Sequence, residues 1–148
     1  MKNGLTALEI LVALAILALL ATLSISSFDK IQRVVYLDGA VESVTSLIRE
    51  ARTKTLASED FSQYGVYFES GRAVLFKGAE FSEGSPDNKT YVVPEKAEII
   101  NISFPLSSAV FKKLTGDAEY AGDVSVKIKN SYNLKKISVN EVGLVYVE

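Results

Sequence analysis

The pattern of apolar and polar positions divides the chain in two. Residues 10–21 carry no polar side chain, and the flanking positions extend this run over residues 5–25 with Thr6, Glu9, Thr22 and Ser24 as its polar members. As a helix, residues 5–25 span roughly 30 Å, about the thickness of a bilayer core. Downstream, apolar or small side chains fall at Val34, Leu37, Val41, Val44, Ile48, Ala51 and Thr55, alternately three and four apart. That spacing predicts an amphipathic helix with one narrow apolar stripe. Asp38, Glu42, Arg49, Glu50, Arg52 and Lys54 occupy its other faces. No proline precedes Pro86, so one helix is expected from about Thr6 to Ala57. Gly39 is its weak point, costing about 1 kcal/mol relative to alanine. The stripe is too short, and its Ala and Thr positions too weak, to favour a coiled-coil dimer. It is expected to pack on the chain's own sheet.

Beyond residue 58 the period changes to that of strands. Segments 63–68 and 73–77 flank Glu69-Ser70-Gly71-Arg72, a hairpin signal. Residues 80–90 are polar, with a turn cluster at 84–88. Residues 97–104 read as a strand ended by Pro105, and 110–114 as a short one. Val124, Val126 and Ile128 alternate with Ser125, Lys127 and Lys129, the pattern of a half-buried strand. Turns at 130–133 and 140–143 lead into strands at 134–139 and 144–147. The expected fold is α+β: a long N-terminal helix, its first half membrane-spanning, packed on a C-terminal antiparallel β-sheet or small β-sandwich. The expected divisions are a leader at 1–4, a transmembrane and assembly helix at 5–28, an amphipathic helical half at 29–58, and a β-rich domain at 59–148.

Composition narrows the chemistry. In 148 residues, the size of one modest domain plus an anchor, there is no cysteine and no histidine. Disulfides, thiol catalysis, lipid attachment to cysteine, the usual zinc sites and a Ser-His-Asp triad are therefore excluded. The net charge of -2 argues against a protein built around a nucleic-acid backbone, which needs a concentrated positive field. No motif sets a nucleophile, a base and an oxyanion donor together, so no enzyme activity and no cofactor are expected.

Glu9 is the residue that the apolar run does not explain. A carboxylate deep in a bilayer costs about 2.5–3.5 kcal/mol on insertion scales, so a lone one usually has a partner or a function. A secretory signal peptide would not place an acid at the start of its apolar core, and it would need a small-x-small site after it. An ordinary anchor fits the length and leaves Glu9 without a role, unless it snorkels to the headgroups.

The segment Gly4-Leu5-Thr6-Ala7-Leu8-Glu9-Ile10-Leu11-Val12 resembles the prepilin motif of type IV pilins and type II secretion pseudopilins. There a short basic leader ends in glycine, and glutamate is the fifth residue of the mature chain. Here the leader is Met1 to Gly4, with Lys2 as its charge, and Glu9 is fifth after the Gly4–Leu5 bond. Leu5 stands where the family usually has phenylalanine, and Ala7 is smaller than the usual apolar residue. Residues 48–57 and the ending, from Ile137-Ser138-Val139 through the Gly143 turn to a last apolar strand, are similar to the pseudopilin H and FimT-like subgroup. The resemblance implies a pilin-like fold and a structural role as a minor pilin or pseudopilin. It implies cleavage after Gly4 and N-methylation of Leu5 by a prepilin peptidase. It further implies that Glu9, aided by Thr6, sets register between subunits. The implied partners are sibling pilin or pseudopilin subunits, the peptidase and an inner-membrane assembly platform. The implied location is a single pass through the inner membrane, N-terminus cytoplasmic, with the β-domain outside and later in a pilus or pseudopilus. Lys2 at the cytoplasmic end fits that orientation.

The residues add their own logic. Leu5 and Glu9 are four apart and share a helix face, so a new α-amine and the carboxylate can neutralise one another, within a chain or between chains. Lys127, Lys129, Lys135 and Lys136 form a weak candidate anion or DNA patch, as in a DNA-uptake pilin. Lysines guarding a strand face against aggregation explain them more simply. An adhesin-like binding module is the companion alternative. Asp87 with Asn88, and Asp117 with Glu119, are candidate calcium ligands without the spacing of a dedicated loop. Tyr64, Tyr67, Phe68 and Phe76 read as core and sheet packing.

Overall fold

A computed structural model describes residues 6–148, with side chains of residues 23–30 not described. Gly4 and Leu5 lie outside the described residues. Two compact units are present, Met1–Val35 and Tyr36–Glu148. Helix α1 (Ala7–Leu56) runs through both, and eight strands follow in the second.

In the first unit the apolar side chains of the start of α1 are open: Leu8, Leu11, Leu14, Leu17 and Leu19 are all exposed. Among the described residues no helix is long and apolar enough to cross a membrane. The span expected at residues 5–25 includes Leu5, outside the described residues, and three positions, 23–25, whose side chains are not described.

In the second unit the amphipathic stripe becomes the core. Leu37, Val41, Val44, Ile48, Ala51 and Thr55 are buried, whereas Val34, which belongs to the first unit, is 49% exposed. Ala40, Thr45 and Leu47 are buried beside them, so the face is broader than the three-four count suggests. The helix ends one residue after Thr55, and Ser58 takes a left-handed conformation (φ 50°) that turns the chain away.

The strands form two four-stranded antiparallel sheets. The first has order β3-β2-β1-β5, the second β4-β6-β7-β8. Strands β1 (Tyr64–Glu69) and β2 (Arg72–Lys77) make the expected hairpin, paired from Tyr64 with Lys77 to Glu69 with Arg72. The polar stretch was expected to continue to residue 90, but β3 (Lys89–Val92) pairs with β2 along its edge. Strand β4 (Ala97–Ile100) stops short of Pro105 because Asn101 is left-handed (φ 51°). The next strand is β5 (Ser108–Val110), not 110–114. Phe111 makes one isolated bridge to Ala118, and Leu114 (φ 71°) belongs to a turn. Strands β6 (Gly122–Ile128), β7 (Leu134–Val139) and β8 (Val145–Val147) form the C-terminal meander.

One core joins these parts. Val44, Ile48 and Ala51 of α1 pack with Val66, Phe68 and Leu75 of the first sheet and with Ile99, Val126 and Ile137 of the second. Alternation sends every second strand residue to that side. The outer face of the first sheet is covered too. Phe76 is buried there, and the loop after β2 folds back so that Phe81 stacks on Tyr67 at 4.2 Å and meets Phe76 edge-on at 5.7 Å. Arg72 holds the loop in place, reaching Glu69 at 2.6 Å and both Glu83 oxygens at 2.7 and 3.0 Å.

Candidate functional site

The head of α1 is built by a local device. The Thr6 N–H and hydroxyl both donate to Glu9 Oε2, at 2.8 and 2.9 Å, and the Glu9 N–H reaches back to Thr6 Oγ1 at 3.3 Å. This is a reciprocal capping box: two helix-start donors are satisfied by the side chains three residues apart. Its sequence signal is Thr-x-x-Glu, which the register reading of Glu9 passes over. The carboxylate expected to meet an α-amine is thus already held at the helix end by its own chain. The second oxygen, Oε1, takes no hydrogen bond from the described residues and is open to another donor. Thr6 and Glu9, both assigned to assembly, are brought together; Gly4 and Leu5, assigned to processing, lie outside the described residues.

At the other end of α1, Arg52 does more than decorate a surface. Its Nε donates to the Gly116 carbonyl at 3.0 Å and Nη2 to the Val142 carbonyl at 3.1 Å. Gly116 and Gly143 both have positive φ, 67° and 76°, and the backbones approach so closely that a Cβ on Gly143 would collide with the Gly116 carbonyl oxygen. Two turns far apart in sequence are therefore pinned to one guanidinium. One turn along the helix, the buried Thr55 hydroxyl donates to the Ala51 carbonyl at 2.8 Å and accepts from the Tyr64 N–H at 2.9 Å. It ties the helix end to the first strand.

The four lysines do not form one patch. Lys135 and Lys136 are neighbours in β7 and so point to opposite faces. Lys136 is paired in register with Ser125, and Lys135 with Val126. Lys135 makes an ion pair with Asp38 of α1 at 2.9 Å, and Lys136 one with Glu148 at 3.1 Å. The Glu148 carboxylate hydrogen bond holds the Lys136 ammonium above its ordinary value. Of the four, Lys127 and Lys129 make no ion pair among the described residues, although Glu98 of β4 lies opposite Lys127 in register; they sit at the β6 end of a hairpin whose tip presents Tyr132, fully exposed.

The remaining candidates sort simply. Tyr64, Phe68 and Phe76 are buried, and Tyr67 is half-buried under Phe81. Asn88 Nδ2 braces its own loop by donating to the Ser82 and Glu83 carbonyls at 2.7 and 3.3 Å. Asp117 sits in a turn where its carbonyl accepts from the Lys112 N–H. Among the described residues no group of three or more acidic side chains could hold a metal ion. On the outer face of the first sheet is a cavity of about 480 Å³, lined by Tyr67, Phe81, Leu106, Val110 and Tyr120 with Glu80 and Glu119. Neither sequence period nor motif marks it, because its walls come from three separate loops and the sheet.

Against known proteins, no family model matches the sequence and no curated protein matches it. Among solved structures, the chain is similar to the minor pseudopilin EpsH from the type 2 secretion system of Vibrio cholerae. The TM-score is 0.58 at 11% sequence identity, with 76% of this chain and 95% of that chain covered. The fold is therefore pseudopilin-like: α+β, with the helix packed on two antiparallel sheets.

Proposed function

We propose that this chain is a structural, non-enzymatic subunit of a pseudopilus or type IV pilus, of the minor pseudopilin H type. The observation that carries the reading is a conjunction. A pseudopilin-like fold is preceded by an apolar helix that opens on Glu9, five residues after Gly4. In this reading a prepilin peptidase cuts after Gly4 and methylates the Leu5 amine. The apolar helix then holds the subunit in the inner membrane, with the β-domain outside the cytoplasm. An assembly platform lifts it into a filament beside its siblings. There the open Oε1 of Glu9 receives a neighbour's amine while Oε2 keeps the cap, so one carboxylate both starts a helix and sets its depth against the next.

The alternative of a DNA-uptake pilin gains little from the β-domain, since two of the four lysines are already neutralised by Asp38 and Glu148. The test is recovery in filaments. Produced with a complete assembly system, the chain should appear in the sheared filament fraction, or cross-linked to sibling subunits. Recovery only as a membrane-free protein, with no association with those subunits, would reject the reading.

A further inference from the structure

Two exposed features of the second unit complement one another. The first is the cavity on the outer face of the first sheet. Its apolar floor is Tyr67, Phe81 and Val110, and its rim carries Glu80 and Glu119, neither in an ion pair among the described residues. Its edge is strained: Leu106 and Ser107 are both left-handed (φ 50° and 53°), and the Leu106 side chain is 83% exposed. Bulky residues rarely adopt that conformation, and such strain collects where a surface has a task beyond stability. The second feature is the β6–β7 hairpin tip. Tyr132 stands 100% exposed and Lys127 lines the same tip, with Lys129 one residue past the end of β6; neither lysine is in an ion pair among the described residues, and Glu98 of β4 lies opposite Lys127 in register.

We propose that the Tyr132 hairpin of one copy seats in the Tyr67–Phe81–Leu106 cavity of a second copy, with Lys127 and Lys129 facing Glu80 and Glu119. A cavity of about 480 Å³ lies within the roughly 300–1,000 Å³ of pockets that enclose small organic groups. An aromatic anchor in a pocket, ringed by complementary charge, is the arrangement that concentrates binding energy and fixes register. A second copy is the occupant because this chain carries both halves, the two lysines against the two carboxylates. The two surfaces are different patches, so the contact is head-to-tail and can propagate rather than close as a dimer. It extends the assembly reading but stands on the β-domain alone, without the N-terminal motif.

The absence of cysteine supplies the test. The full chain is placed in membranes as two differently tagged populations, one bearing Leu106→Cys and the other Asn133→Cys, and then oxidised. A mixed disulfide-linked dimer is expected, well above the yield of either population alone. Tyr132→Ala, or Lys127→Glu with Lys129→Glu, should lower that yield about tenfold. Glu80→Lys with Glu119→Lys on the Leu106→Cys partner should restore it to the charge-reversed copy. A yield no greater than the single-population controls, or one indifferent to Tyr132 and to both charge reversals, overturns the contact. A chain that is processed and enters filaments without this cross-link rejects the contact alone. An unprocessed chain that still cross-links keeps the contact and rejects the assembly reading.

Discussion

The Arg52 guanidinium donates to the Gly116 carbonyl at 3.0 Å across a sequence separation of 64 residues. The same group reaches the Val142 carbonyl, so one helix residue closes two turns of the β-domain. Hydrogen bonds from a charged donor contribute about 1.5–3 kcal/mol, and partial exposure of this one places it toward the lower end. Arg52→Ala should therefore destabilise the protein by about 1–2 kcal/mol. Gly143→Ala should cost as much or more, because φ of 76° and the close Gly116 carbonyl both oppose a Cβ. Thermal or denaturant unfolding of each variant measures this; a change below about 0.5 kcal/mol, the range of ordinary surface substitutions, would contradict it.

Thr55 offers a second stability test. Thr55→Val keeps the shape but strands the buried Tyr64 N–H, an expected loss of about 1–3 kcal/mol. Thr55→Ser keeps the hydroxyl and gives up one methyl, about 1 kcal/mol. Valine should be the worse replacement in the same unfolding assay; serine at or beyond valine would mean the bond to Tyr64 contributes little.

Stability should fall at both pH extremes. The hydrogen bond and charge of Lys77 hold the Asp60 carboxyl below its ordinary 3.8, and the Arg72 hydrogen bond holds Glu83 below 4.5. Carboxyls depressed in the fold stabilise it above their unfolded values, and that contribution drains as pH falls through the folded ones. Lys54 and Lys77 are raised above 10.5 by their hydrogen bonds to Glu59 and Asp60. Their contribution is whole below 10.5 and is lost as pH rises through the raised values. A plateau between about pH 6 and 9 follows. Asp60→Asn should lower the plateau slightly and converge with the parent in acid, and 1 M salt should shrink the gap because these pairs are exposed. A gap that widened in acid would refute the assignment.

The two roles given to Glu9 can be separated. Glu9→Ala removes both cap and charge, and should leave membrane insertion intact while cutting filament incorporation about tenfold or more, the worth of a charged hydrogen bond. Thr6→Val removes the side-chain cap and leaves the carboxylate, so incorporation should be reduced far less. Equal defects in the two variants would assign Glu9 to the helix start alone.

How far the sequence discloses this molecule depends on the range of the interaction. The β1–β2 hairpin is legible because Ser70-Gly71 sits between two short apolar runs, and α1 because its period persists without a proline. Strand β3 is not, since Lys89 and Thr90 stay exposed on an edge and only pairing with β2 makes them a strand. The early end of β4 and the shift of β5 follow from left-handed Asn101 and Leu114, which composition does not announce. Arg52 looks like any solvated helix arginine until turns 64 and 90 residues away reach it. Two features were in the sequence to be read: Thr6-x-x-Glu9 is a capping box, and adjacent Lys135 and Lys136 cannot share a strand face. The outer-face cavity rests on loop returns alone and has no local sequence signal.

The central claim concerns one peptide bond and is tested most directly at the N-terminus of the protein recovered from membranes. Intact-mass and N-terminal peptide measurement should find a chain that begins at Leu5 and carries one additional methyl group on its amine. A chain that still begins at Met1, or one whose first residue lies beyond Leu20, would contradict it.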